Sequence, residues 1–266
     1  MSEAPVILIT GASSGIGAAT AKLFGLRGYR VVLAARRLER LQELEQEIEE
    51  AGGEALSVDT DLNDLDQIQA LVKKTLKEYG QVDVLLNNAG FGRTKWLEEL
   101  DPQKDINLQI QVNLNAVIQM TRALLPHMIE RKAGHIINMG SMAGFVATPT
   151  YTVYAATKHG VRGFADALRR EVGVWGIKVS TIYPGGVKTE FGSHTEAKRK
   201  TGITTPKSLQ LSAEDVAQTV WSVSQRPRRT VIIPWVLRLG AWLDFFAPWL
   251  NDWIIERTFT RPERGL

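Results

Sequence analysis

The chain has 266 residues, 44% of them hydrophobic and 23% charged, and no cysteine. That is enough for one large α/β domain with a buried core, and it excludes a disordered chain, disulfides and thiolate metal sites. The formal net charge of +3 sits wholly in residues 226–266, where seven arginines face four acids, so no nucleic-acid groove is expected. His127, His135, His159 and His194 are scattered without metal-ligand spacing, and no metal is expected. No basic flank followed by a long apolar run opens the chain, so a signal peptide is not expected and the location is read as cytoplasmic.

Residues 5–9 form a short apolar run, read as a buried strand. Thr10-Gly11-Ala12-Ser13-Ser14-Gly15-Ile16-Gly17 follows and opens a helical pattern. Glycines here let the backbone turn tightly. They also let a pyrophosphate approach the helix N-terminus, where unpaired N–H groups and the dipole favour anions. The second strand is residues 30–35. A carboxylate closing it would bind the adenosine ribose 2′-hydroxyl, but Ala35 holds that slot and Arg36-Arg37 follow. An arginine grips a 2′-phosphate with paired hydrogen bonds, so NADP(H) is expected over NAD(H). Arg36 is placed on the phosphate. Arg37 is either a second grip or simply the start of the charged helix at 38–51.

Gly52-Gly53 ends that helix. Residues 54–59 are strand three, and Asp61-Leu62 closes it where an adenine edge can be contacted. Residues 64–79 read as an amphipathic helix stopped by Gly80. Strand four, 82–86, ends in Asn87-Asn88-Ala89-Gly90. Small residues there leave room beside a cofactor, and the amides can tie neighbouring strands. Residues 102–131 read as mostly one long helix. It contains Asn113, unfavourable at a helix interior, either as a functional group or as a satisfied core amide.

Residues 134–139 are strand five, and the loop 142–149 offers Phe145, Val146 and Ala147 as an apolar substrate wall. The helix at 151–175 carries Tyr154 and Lys158, which four residues apart share one face. A fixed ammonium beside a phenol is expected to pull its pKa below about 10. Such a phenol suits general acid–base work near neutral pH. Ser141, thirteen residues before the tyrosine, is expected at a strand end facing it. Strand six, 177–183, is followed by Pro184-Gly185-Gly186-Val187-Lys188-Thr189. Residues 192–211 are polar, basic and aperiodic, and read as a mobile flap within a substrate segment of about 186–212. A helix at 213–225 is capped by Ser212, and 230–233 is a seventh strand. The alternation predicts one α/β domain over 1–233: a Rossmann-type doubly wound parallel sheet of about seven strands with helices on both faces.

Residues 234–266 form a helical amphipathic extension holding four of the seven tryptophans. Leu239, Trp242, Leu243 and Phe246 fit one face, and Leu250, Trp253 and Ile254 another after Pro248. Asp244, Pro248, Asn251 and Asp252 interrupt the run, so it is not a simple spanning helix. Peripheral contact with a membrane interface, an oligomer contact and a lid packed on the substrate pocket all remain open.

Together, residues 10–17, Asp61-Leu62, Asn87-Asn88-Ala89-Gly90, Asn113, Ser141, Tyr154-x-x-x-Lys158 and Pro184-Gly185 resemble the classical short-chain dehydrogenase/reductase family. The similarity spans about residues 5–233. The resemblance implies a nicotinamide cofactor and a tetrad of Asn113, Ser141, Tyr154 and Lys158. It implies hydride transfer between NADP(H) and a carbonyl or secondary alcohol on a small-molecule substrate. Tyr154 is the proton donor, Ser141 holds the substrate oxygen, Lys158 holds the nicotinamide ribose, and Asn113 positions a water. Ile16 and Asn88 are implied near the cofactor beside Gly11, Ser13, Ser14, Gly15, Gly17, Ala89 and Gly90. Val187 and Thr189 are implied at the nicotinamide carboxamide, after Pro184 and Gly185, and Arg36 on the 2′-phosphate. Some NADP-using relatives carry a basic residue where this chain has Ser14, so cofactor choice rests on Arg36 with Arg37. A homodimer or homotetramer built with the two long helices is also implied. The rival from another class is an NADP-binding regulator or scaffold without turnover. Among enzymes, a membrane-associated lipid or steroid oxidoreductase stands against a soluble ketone or 3-oxoacyl reductase.

Overall fold

The computed structural model describes residues 4–191 and 206–266. The flap expected at 192–211 lies, for its residues 192–205, outside the described residues. Seven parallel strands form one sheet in the order β3-β2-β1-β4-β5-β6-β7. They are β1 (Val6–Thr10), β2 (Arg30–Ala35), β3 (Glu54–Asp59), β4 (Val84–Asn87), β5 (His135–Met139), β6 (Lys178–Pro184) and β7 (Thr230–Ile233). The order reverses between β1 and β4, and ligands of such sheets bind beyond the strand ends at that crevice.

β1 is buried along its whole length, as a strand covered on both faces must be. Its side chains alternate. Val6 and Leu8 join the core under α3 (Leu65–Tyr79), α5 (Ala116–Arg131) and α6 (Thr152–Val172). Ile7 and Ile9 join the core under α1 (Gly15–Leu26), α2 (Leu38–Glu50) and α7 (Ala213–Gln225). Local chemistry ends the helices where it should. Asp64 caps α3 by accepting from the N–H groups of Asp66 and Gln67, and Gly80 closes it at φ +70°. Ser212 and Asp215 cap α7 reciprocally at 3.0 and 2.8 Å.

The stretch read as mostly one long helix, 102–131, is helical throughout, but not uniformly α-helical. Wide π-type turns at Pro102–Asn107 and Gln111–Asn115 flank a short α4 (Leu108–Ile110) before α5 begins. Three polar side chains in this stretch bind the loop after β4 instead of facing solvent. Asp105 holds Arg93 and Lys95, Gln109 accepts from the Arg93 N–H, and Asn113 bonds the main chain of Phe91. Widened turns of this kind often mark functional segments.

After β7 the chain continues as α8 (Leu237–Phe246), α9 (Pro248–Ile255), a wide turn at Glu256–Thr260 and α10 (Arg261–Arg264). Leu237 packs on Gly185, where a Cβ would stand 2.6 Å from its side chain. At the far end Phe259 is buried, and Arg264 stacks 3.9 Å from the Trp96 ring while bonding Glu98 at 2.6 Å. The extension therefore runs from the end of β6 to the loop after β4, along the edge of the sheet where the strands end. Among the described residues no helix is long and apolar enough to cross a membrane.

Candidate active site

The glycine turn sits at the reversal point. Gly11 has φ +66°, and a Cβ there would stand 2.8 Å from the Ala89 Cα. On Gly17 a Cβ would meet the Gly11 carbonyl at 2.3 Å, so α1 starts as close to the turn as backbone allows. Thr10 Oγ1 accepts from the N–H groups of Asn88 (3.0 Å) and Ala89 (3.2 Å), and the Asn88 amide donates to the carbonyls of Thr10 and Gly11. The amides after β4 thus tie β4 to the turn. Asn87 does the same for β5, donating to Asn138 Oδ1 at 2.9 Å. Ser14 precedes α1 without a side-chain cap, so the first N–H groups of α1 receive no bond from it. Ile16 and Val187 both pack against the same core.

Arg36 is exposed and has no ion pair among the described residues. Arg37 does more than begin α2. Its guanidinium donates to Ser13 Oγ (2.9 and 3.2 Å) and Ser14 Oγ (2.9 Å), and pairs with Glu190 at 3.2 Å. Asp61 accepts from the main chain and amide of Asn63, and Leu62 shares a small gap with Thr10, Ala89, Val112 and Ala116.

Asn113, Ser141, Tyr154 and Lys158 converge beyond the ends of β4 and β5. Ser141 leaves β5 in extended conformation (φ −165°), and its Oγ accepts from the Ala143 N–H at 3.2 Å. The same hydroxyl is the polar neighbour of the Tyr154 phenol and opposes the rise in its pKa. Lys158 lies 5.6 Å from the Tyr154 ring centroid and donates to the Met139 carbonyl at 2.9 Å. A Cβ on Gly90 would stand 3.1 Å from Asn113 Oδ1 and 3.7 Å from Lys158 Nζ, so Gly90 keeps space beside both. The Asn113 amide bonds Phe91 twice, at 2.9 and 2.7 Å, and reaches Thr157 Oγ1 at 3.4 Å.

The phenol expected to be acidic is not. Burial pushes Tyr154 up to about 12, with Ser141 opposing it, and pushes Lys158 down to about 8. Removal from water disfavours whichever form is charged, and here that outweighs the pairing. The lysine spends its nearest bond on a backbone carbonyl, not on the phenol oxygen. A protonated phenol at neutral pH is suited to giving a proton.

The Lys158 shift has a measurable consequence. The unfolded chain keeps the ammonium to its ordinary 10.5, whereas the folded chain releases the proton near 8. Between these values the unfolded state binds more protons, so stability rises with pH, and below about 8 the burial penalty is full. Lys158→Met lacks this term. Its stability relative to the parent is expected to fall by on the order of 3 kcal/mol from pH 8 to 10. Melting curves across that range that stay parallel would refute the burial argument.

Phe191, Tyr151 and Gly92 carried no signal of their own in the sequence. Phe191 lies 5.5 Å from Tyr154, ring to ring, and Tyr151 5.8 Å. Gly92 is small because a Cβ would stand 2.9 Å from the Phe191 ring. Thr189 covers Gly15, where a Cβ would be 3.2 Å away. Val187 bridges to Leu211, and Gly185 N–H donates to the Ile233 carbonyl at 2.8 Å, next to Pro184. Phe145, expected on a substrate wall, packs on Tyr183 at 4.7 Å with Arg162 stacked 4.0 Å above it. Ala147 is exposed.

An uncharacterized oxidoreductase of Staphylococcus saprophyticus is 35% identical over 237 residues, which cover 88% of this chain and 95% of that one. A metagenomic short-chain oxidoreductase solved with NADP aligns with a TM-score of 0.74 at 34% identity, covering 86% of this chain and 96% of that one. A short chain dehydrogenase/reductase from Burkholderia phymatum solved with NAD aligns with a TM-score of 0.84 at 27% identity, covering 94% and 95%. The family model for short chain dehydrogenases matches residues 5–200, and the chain belongs to that family.

Proposed function

We propose that this enzyme is an NADP(H)-dependent oxidoreductase that reduces the carbonyl of an apolar substrate, or oxidises the matching secondary alcohol, with Tyr154 as the acid–base group. The convergence of the Tyr154 phenol, the Ser141 hydroxyl and the buried Lys158 carries this reading. Five similar structures hold NADP, NADPH or 5-hydroxy-NADP and one holds NAD, and the end of β2 supports the former choice. There Ala35 replaces a ribose-binding carboxylate, and arginines gather round an anion. The Glu190 carboxylate lies between Arg37 and Arg40, at 3.2 and 2.8 Å. A site that already holds one anion fits a 2′-phosphate, and the space kept at Gly90 fits a ring laid beside Lys158.

When bound, the nicotinamide supplies or takes up the hydride. Tyr154 gives its proton to the substrate oxygen in the reductive direction, the direction its raised pKa favours. Ser141 steadies the charge developing on that oxygen. Lys158 holds the ribose and, as an ammonium, favours the phenolate left behind. Asn113 keeps the loop at Phe91 clear of Lys158. Arg36 and Arg37 take the 2′-phosphate, and Val187 and Thr189 the carboxamide. Residues 1–233 are read as the catalytic domain and 234–266 as its extension, with oligomers forming through α5 and α6. A panel of carbonyls and alcohols assayed with NADPH and NADP⁺ tests the reading. Binding of NADPH without turnover on any of them would favour the regulator or scaffold.

A second feature favours a membrane-associated version of this activity. Trp235, Trp242, Phe245, Phe246 and Trp249 are each at least 61% exposed on or beside α8 and α9. Amphipathic aromatic helices with arginines nearby suit the headgroup region of a bilayer. Because the extension borders the site, a lipid-like substrate would enter from the same side. Co-sedimentation with anionic phospholipid vesicles is expected for the full chain, with at least tenfold weaker partitioning after Trp242→Ser/Phe245→Ser/Phe246→Ser. Unchanged partitioning would remove the extension from the membrane.

A further inference from the structure

The segment at 189–191 touches both ends of the proposed cofactor cleft. Thr189 lies over Gly15 at the start of α1, and Phe191 lies against the Tyr154 ring. Between them Glu190 places one carboxylate oxygen 3.2 Å from Arg37 Nη1 and the other 2.8 Å from Arg40 Nη1. Arg37 is itself fixed by Ser13 and Ser14. A carboxylate 150 residues along the chain from Arg40 is thus held by two guanidinium groups beside the glycine turn.

Resting on the NADP(H) reading above, we infer that Glu190 is the chain's own anion in a two-arginine site for the adenosine 2′-phosphate. In that place it clasps residues 189–191 over the cleft until the phosphate displaces it. Two guanidinium groups converging on one anion match phosphate geometry and charge. A phosphate carries close to two negative charges at neutral pH, whereas a carboxylate carries one, so the phosphate wins the exchange. The clasp is also weak enough to be exchanged, because all three side chains are 42–46% exposed and exposed ion pairs contribute little. Arg40 and then Arg37 hold Glu190 below the usual carboxylate range, so it is charged whenever the cofactor is. Arg40 becomes a second phosphate ligand that the motif after β2 does not reveal. NAD(H) lacks the competing anion and leaves the clasp in place, so cofactor choice arises partly from displacement.

Adenosine 2′,5′-bisphosphate and 5′-AMP separate the terms, since only the first carries the 2′-phosphate. By calorimetry, Glu190→Gln is expected to bind the bisphosphate about fivefold more tightly than the parent and 5′-AMP equally well. Arg40→Ala is expected to bind the bisphosphate at least tenfold more weakly, again with 5′-AMP unchanged. In the parent, hydrogen exchange at residues 186–191 should quicken with the bisphosphate and not with 5′-AMP. Bisphosphate binding that ignores Glu190→Gln, or exchange that quickens equally with both ligands, overturns the clasp alone. No preference for the bisphosphate over 5′-AMP in any variant overturns the NADP(H) reading and the clasp with it.

Discussion

Tyr154→Phe is expected to fold, to bind NADPH, and to lose about a thousandfold or more of its turnover. The buried ring packs 5.5 Å from Phe191 and 5.8 Å from Tyr151, and phenylalanine keeps all of that packing. What leaves is one hydroxyl, and the neighbouring Ser141 keeps its bond from the Ala143 N–H. Fold stability near neutral pH should therefore change by no more than about 1 kcal/mol. Removing the hydroxyl removes the group proposed to give its proton to a substrate oxygen beside Ser141. Steady-state kinetics with a responsive substrate and calorimetric titration with NADPH check the two halves. Turnover within tenfold of the parent would assign the acid–base role elsewhere.

Arg37→Ala should weaken NADPH binding by about 10–100-fold while NADH changes by only a few-fold. Hydrogen bonds to a charged partner are worth about 1.5–3 kcal/mol each, and the difference between the cofactors is the 2′-phosphate alone. Arg37 is pinned at Ser13 and Ser14, so its guanidinium is preorganised and loses little entropy on gripping an anion. Arg36, exposed at the end of β2, has to be ordered first. Arg36→Ala is therefore expected to raise the KM for NADPH in the same sense by a smaller factor. Equal losses for NADPH and NADH in both variants would take the phosphate away from these arginines.

Much of the fold was legible because it is governed locally. The extents of β2, β3, β7 and α7 follow from runs of apolar residues and from caps such as Ser212. The strand-to-glycine-turn junction and the stop at Gly80 likewise depend on residues only a few positions apart. The helix at 102–131 was legible, but its widened turns were not, nor were the partners of Asp105, Gln109 and Asn113. These side chains bind a loop that periodicity cannot place. The partners of Phe145 were hidden for a related reason, since Tyr183 and Arg162 come from β6 and α6.

The candidate site divides in the same way. That a tyrosine and a lysine share a helix face, that glycines open a helix, and that no carboxylate closes β2 follow from the order of residues. So does the parallel sheet, because alternating apolar strands and amphipathic helices have few other ways to bury their faces. The chemistry of those groups was decided only when the chain closed on itself. Burial depends on everything packed around a side chain, and it turned the expected acidic phenol into one raised to about 12. The pairing of Glu190 with Arg37 and Arg40 joins segments 150 or more residues apart. Local order sets which side chains share a face, whereas charge state and long-range partners follow from solvent exclusion and from contacts that exist only in the folded chain.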